Sequence, residues 1–246
     1  LRHSSAASDV YKRQVQANIN DNTKFHIFPD LELSYSLFNN VFIPYGGWVG
    51  NVQRNTFNDI RLENPFISED ANLQNTVQKS NLFAGVRGSL SSKFTFNLSA
   101  SFQKFDSMYF FIPDNISSYG NKFQMTYDNL SQTSFMGEIT YQDSEKLKVS
   151  AKGEYFIYDP SNELYAWQKP EFLITLSGLL DLSNKIIVKS DIYLVGQRKV
   201  FSHYEPLRNY ELENGKYVST LKPLIDMNLS AEYRYNKKVS GFIQFN

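Results

Sequence analysis

The stretch KFTFNLSASFQ, Lys93 to Gln103, puts Phe94, Phe96, Leu98, Ala100 and Phe102 on one side of an extended chain. Thr95, Asn97, Ser99, Ser101 and Gln103 fall on the other. Alternation of period two is the mark of a β-strand with one apolar and one polar face. It recurs along most of the chain, so the expected fold class is all-β and antiparallel. What it leaves open is which face meets water. A soluble sandwich buries its apolar faces between two sheets, whereas an outer-membrane barrel turns them outward to lipid and its polar faces to a wet lumen.

The order of strands and turns bears on that choice. Alternation predicts strands near Lys24 to Phe38, Val41 to Asn55, Lys79 to Leu90, Lys93 to Phe111, Lys122 to Gln142, Lys146 to Tyr158, Pro170 to Asp181, Lys185 to Val200, Lys222 to Tyr235 and Lys238 to the end. Most exceed the ~9 to 11 residues needed to cross a bilayer at a tilt. The fifth contains YDNLSQ, which resembles a turn. Yet Phe123, Met125, Tyr127, Phe135, Gly137, Ile139 and Tyr141 keep one parity across it, which predicts a single long strand with its polar middle above the membrane or carrying a bulge.

With that assignment the connections alternate in length. Short ones fall at Asn39 to Asn40, Ser91 to Ser92, Asp143 to Glu145, Leu182 to Asn184 and Asn236 to Lys237. Long ones fall at Thr56 to Gln78, Ile112 to Asn121, Asp159 to Lys169 and Phe201 to Leu221. A membrane barrel predicts short periplasmic turns on one rim and long extracellular loops on the other, whereas Greek-key sandwiches give no such rule. The expected architecture is therefore a partial transmembrane β-barrel of about ten strands. Phe94, Phe96, Tyr141, Tyr233 and Tyr235, on the apolar phase near the short turns, sit where an interfacial aromatic girdle would be, although core packing also accommodates each of them.

Composition narrows the function classes. The 246 residues carry 25 basic and 25 acidic side chains, scattered so that no basic face for nucleic acid arises. There is no cysteine, which removes disulfides and thiol chemistry. A mean hydropathy of -0.41 is that of a soluble protein, but a barrel strand meets lipid with alternate residues only, so its average stays near neutral. SSAASDVYKRQ, Ser4 to Gln14, resembles the translation of a sequencing-library adapter. Residues 1–14 are accordingly expected to be an artefact and 15–246 a barrel segment; VSGFIQFN, stopping within an alternating run, is expected to be cut short.

Several local patterns resemble the C-terminal barrel portion of TonB-dependent-receptor-like outer-membrane proteins of the Bacteroidetes group. They are FIPYGGW at Phe42 to Trp48, ENPFI at Glu63 to Ile67, YAWQKP at Tyr165 to Pro170, NKIIVKSDIYL at Asn184 to Leu194 and LSAEYRYNKKVSGFIQFN at Leu229 to Asn246. The resemblance implies an outer-membrane barrel for binding and uptake of a solute or nutrient, with lipid and TonB-type energy-coupling machinery as partners. No plug domain or TonB-interacting segment is visible in the sequence. Two readings stay beside it: a soluble or periplasmic β-sandwich binding module, and a purely structural or adhesive outer-membrane barrel.

Candidate catalytic groups are few. His26 and His203 lack metal-spaced partners, and neither a cofactor motif nor a catalytic constellation is present, so no enzyme, cofactor or metal is expected. YGGWVG at Tyr45 to Gly50 lacks the G-x-G-x-x-G spacing and predicts a bulge or tight bend. Sequon-like triplets at Asn97, Asn115, Asn129 and Asn228 carry no meaning in a bacterial protein. Arg87, Lys148, Lys152, Glu154, Lys189, Asp191, Asp226, Glu232 and Arg234 fall on the polar phase as candidate lumen residues, where mixed signs would pair across strands. The loop aromatics Tyr165, Trp167, Tyr204, Tyr210 and Tyr217 are candidate ligand contacts that would stack on a planar solute or sugar; anchoring at the interface is the alternative.

Overall fold

The computed structural model describes residues 14–18, 24–38, 41–114, 118, 120–182, 185–202, 211–236 and 239–246. Residues 1–13, the turn residues Asn39, Asn40, Ser183, Asn184 and Lys237, and loop residues including His203, Tyr204 and Tyr210 lie outside them. In chain order the strands are β1 (Gln14–Asn18), β2 (Lys24–Phe28), β3 (Asp30–Ser34), β4 (Ile43–Gln53), β5 (Thr76–Ser89), β6 (Phe94–Pro113), β7 (Phe123–Asp143) and β8 (Leu147–Pro160). They continue with β9 (Phe172–Leu182), β10 (Ile186–Val195), β11 (Arg198–Ser202), β12 (Glu211–Glu213), β13 (Lys216–Leu221), β14 (Leu224–Arg234) and β15 (Ser240–Phe245); one helix, α1 (Phe57–Glu63), stands between β4 and β5. Ten strands form one antiparallel sheet in the order β15-β14-β10-β9-β8-β7-β6-β5-β4-β3, matching the ten expected strands one for one.

Pairing carries one apolar face across this whole sheet. Leu98, Gly137, Gly153, Ile174, Leu194 and Ile225 form one register row from β6 to β14. The rings of the opening stretch stand on this face, and along them no second layer among the described residues covers it: Leu98 is 52% exposed, Phe135 46% and Leu176 45%. A soluble protein rarely leaves an apolar patch beyond a few hundred Å² uncovered. The sheet therefore has the side-chain distribution expected of a partial barrel wall, not that of the alternative sandwich.

Four local expectations are corrected. The first expected strand, Lys24 to Phe38, divides at Pro29: proline has no N–H to give a ladder, so β2 pairs with β1 and only β3 joins the wall. Lys185 to Val200 divides at Gly196, whose amide donates to the Phe172 carbonyl at 2.8 Å. An added Cβ there would lie 2.9 Å from Phe172 backbone atoms, so only glycine lets the chain leave the sheet at that point.

Thr56 to Gln78 is not wholly irregular, because it holds α1. The helix starts at Thr56, whose hydroxyl accepts the Asp59 amide at 3.3 Å, and it buries Ile60. Phe201 to Leu221 contributes β12 and β13, which join β11 in a three-stranded sheet ordered β11-β13-β12. At YGGWVG the irregularity falls on its last glycine, where the register shifts between Val49 and Asn51.

β7 runs unbroken through YDNLSQ as its parity predicts, and the bulge lies in its partner. Between Phe105 and Met108 the register of β6 slips at Asp106 and Ser107, with Ser107 at φ 53°. From there on, odd-numbered residues of β6 take the face that even-numbered ones held below.

Candidate functional site

The nine charged residues expected in the lumen all lie on the face opposite the apolar one. Arg87, Asn97, Glu138, Lys152, Thr175, Tyr193 and Asp226 occupy one register row across seven strands. Lys148 and Lys189 both pair with Leu179, Asp191 pairs with Ser177, and Glu232 and Arg234 continue the same side of β14. Glu154 stands two residues from Lys152 on the same side of β8.

Their charges are matched differently from the expectation. Lys152 bonds Glu154 at 2.9 Å and Arg234 bonds Glu232 at 2.9 Å, each pair within one strand. Residues two apart on a strand share a face, and long side chains span the gap, so neutralisation along the strand is as accessible as across it. Cross-strand links are instead made by hydroxyls and amides. Ser177 Oγ donates to Asp191 at 2.5 Å, Tyr45 Oη donates to Asn97 at 2.7 Å, and Ser101 meets Ser134 at 2.7 Å.

Above the bulge, both faces of the β6–β7 pair are covered. On the side continuing the apolar face, Tyr109, Phe111, Phe123, Met125 and Tyr127 pack under Ile60 of α1 and Ile67. On the polar side, Phe110 and Leu130 pack against Ala166, Trp167, Phe201 and Val218, contributed by the β8–β9 connection and the three-stranded sheet. The rim is thus a small two-sided core built on a hairpin extension.

Two carboxylates fasten it. Asp128, 4% exposed, accepts the amides of Asn129, Asn162 and Glu163 and the Asn162 side chain, all within 2.8 Å. Burial works to raise its pKa, but these donors outweigh it and hold the carboxyl below its ordinary value. Glu163 receives Lys216 at 2.7 Å, the Trp167 indole N–H at 2.8 Å and the Thr126 hydroxyl at 3.2 Å. Burial pulls its pKa upward and these donors pull it further down, so Glu163 too is held low.

These contacts separate the loop aromatics. Trp167 is 1% exposed and in contact with Phe201, so it is a core residue of the rim and its expected role as a ligand contact is corrected. Tyr165 donates to Glu213 at 2.8 Å and lies under the Lys199 ammonium, 5.1 Å from its ring centre. Tyr217 is half-buried on β13 between Ser202 and Leu212, on the side of the small sheet away from Phe201 and Val218. Among the described residues no cluster of three or more His, Asp or Glu is placed to hold a metal ion.

No family model matches the sequence, and no curated protein matches it. Solved structures do. The pyoverdine outer-membrane receptor FpvA of Pseudomonas aeruginosa PAO1 aligns over 92% of this chain and 32% of its own, with TM-score 0.59 and 12% identity. The siderophore receptor PiuA of Acinetobacter baumannii aligns over 91% of this chain and 32% of its own, at 0.55 and 9%. The copper transporter OprC aligns over 87% and 32%, at 0.53 and 13%. The chain spans about a third of the length of these structures, and the likeness is one of fold: a segment of β-barrel wall.

Proposed function

We propose that this chain is part of a TonB-dependent-receptor-like protein of the bacterial outer membrane, in an organism of the Bacteroidetes group, and that it serves binding and uptake of a solute. The observation that carries the proposal is the arrangement of the wall. The ten-stranded sheet leaves one apolar face uncovered among the described residues, carries charged side chains on the opposite face, and by its antiparallel order sets the long connections at one end. Lipid fits the first face and water the second. The fold likeness to receptors of siderophores and metal ions supports a role in which the polar face and rim contact a solute without transforming it. Energy coupling through TonB-type machinery belongs to the same reading.

Within it, residues 15–246 form the barrel segment and residues 1–14 are derived from an adapter. The polar-face charges hydrate and line the lumen, and among the described loop aromatics Tyr217 and Tyr165 are those left to meet a solute. The test is cellular. The intact protein should fractionate with outer membranes, need detergent for extraction and show heat-modifiable gel mobility, and its deletion should slow uptake of one nutrient class. Recovery as a freely soluble monomer would end the proposal.

A further inference from the structure

The apolar face is not uniformly flat. A hollow of about 660 Å³ opens on it across β3, β4 and β5, lined by Leu31, Leu33, Pro44, Gly46, Trp48 and Leu82. It exists because Gly46, between Pro44 and Trp48 on this face, has no side chain: an added Cβ would stand 3.0 Å from the Phe83 carbonyl oxygen, so backbone forms the floor. Trp48 forms a fixed wall, its indole N–H donating to Ser80 Oγ at 3.0 Å. Ser80 pairs in register with Lys104, and Lys104 stands one row beyond Phe102 toward the long-loop rim.

The charges beside the hollow are unevenly matched. Lys79 bonds Asp106 at 2.6 Å, which satisfies the nearby carboxylate. The exposed ammonium of Lys104 makes no ion pair among the described residues, so it is free to meet an anion from outside.

We infer that this surface holds one anionic lipid of the outer leaflet in a defined place, with an acyl chain in the hollow and its phosphate at Lys104. The inference rests on the membrane reading above. The order of features along the strands, apolar hollow, then indole and hydroxyl, then cation, is the order of an amphiphile from chain to headgroup. The hollow is continuous with the face that meets lipid, and its lining is almost wholly apolar, which suits a hydrocarbon chain and gives a polar solute nothing to bind.

The test uses the intact protein reconstituted in phosphatidylcholine vesicles containing a small fraction of lipid brominated on its acyl chains. The Trp48 signal is the emission difference between wild type and Trp48→Phe. One basic group near a membrane surface favours an anionic lipid about fivefold, so brominated phosphatidylglycerol should quench Trp48 at about one fifth the mole fraction that brominated phosphatidylcholine requires. Lys104→Gln should bring the two lipids to parity, Lys104→Arg should keep the preference, and heat-modifiable mobility verifies that each variant is folded. In wild type, added salt should weaken the preference, which tests the same contact without a substitution.

Equal quenching by both lipids in wild type, or a preference that survives Lys104→Gln, would overturn the site while leaving the membrane reading in place. No quenching of Trp48 by either lipid would overturn both.

Discussion

The same two strands, β6 and β7, pass through two environments that treat an apolar side chain in opposite ways. Below the bulge at Asp106 and Ser107, Phe94, Leu98 and Phe102 stand on an uncovered face, each 40% exposed or more. Above it, Phe110 and Leu130 are 0% and 2% exposed, inside a core of protein. Lipid replaces a core in the wall, because hydrocarbon outside is as good a solvent for phenylalanine as hydrocarbon inside. Once the hairpin leaves the bilayer that solvent is gone, and loops and the small sheet must cover both faces. Wall and rim thus divide the labour of burial, and substitutions should respond to the division.

The largest effect should follow Trp167→Ala. It removes a 1% exposed side chain from the rim core, and truncating a buried aromatic costs ~3–5 kcal/mol. The rim connection at Ser161 to Lys169 should become open to limited proteolysis and fast amide exchange, while the wall keeps its heat-modifiable mobility. Phe102→Ala, similar in apolar loss but on the lipid face, should leave the rim's exchange rates unchanged. If both variants destabilise the rim alike, the division between the two regions is wrong.

Next comes the wall. Leu98 lies midway along its apolar run, 52% exposed, and an arginine at the bilayer midplane costs ~2–4 kcal/mol. Leu98→Arg should lower folding stability in vesicles by about that amount, and Ser99→Arg, one residue on and facing the lumen, by much less. Equal costs at the two positions, measured by refolding titrations, would show that the assignment of faces fails.

A smaller effect is expected at the carboxylate that fastens the rim. Asp128→Ala leaves the amides of Asn162 and Glu163 without their acceptor, and losing hydrogen bonds to a charged group costs ~1.5–3 kcal/mol. Acid should do the same to wild type. Asp128 and Glu163 both have lowered folded-state pKa values, so their contribution is complete above the unfolded carboxylate range near ~4 and is lost as pH falls through the lower folded values. The protection of the Asn162 and Glu163 amides, taken relative to their intrinsic exchange rates at each pH, should fall below about pH 4 and stay constant from there to neutrality. Protection that is already being lost near neutral pH would point to a different fastening group.

How much of this was legible in the sequence follows the same division. The wall was readable because alternation is local: Phe94 to Gln103 fixes its own two faces whatever pairs with it, and all nine charged candidates from Arg87 to Arg234 fell on the polar one. The unbroken course of β7 through Asp128 was readable from parity alone. In the rim that logic ends. The bulge at Ser107 exchanges the faces of β6, and Trp167 is buried by Phe201 and Val218, which are distant in sequence, so a tryptophan in a polar loop read as a surface residue. Two local signals were present but unused: Thr56 with Asp59 three residues later, a helix start, and Gly196, where a strand ought to bend.

The smallest expected effect concerns the polar face itself. Lys152 and Glu154 are paired at 2.9 Å with side chains 40% and 27% exposed, and ion pairs in such hydrated settings contribute only ~0–1 kcal/mol. Lys152→Met should therefore shift folding stability by less than about 1 kcal/mol, whereas Trp167→Ala should shift it severalfold more. Its consequence lies elsewhere, since the change removes one positive charge from the register row that runs from Arg87 to Asp226 and leaves Glu154 without its partner. Uptake of an anionic solute should fall and uptake of a cationic one rise, with protein abundance in the membrane unchanged. If neither uptake rate moves while abundance holds, the row lines no solute path, and its charges serve only to keep that face wet.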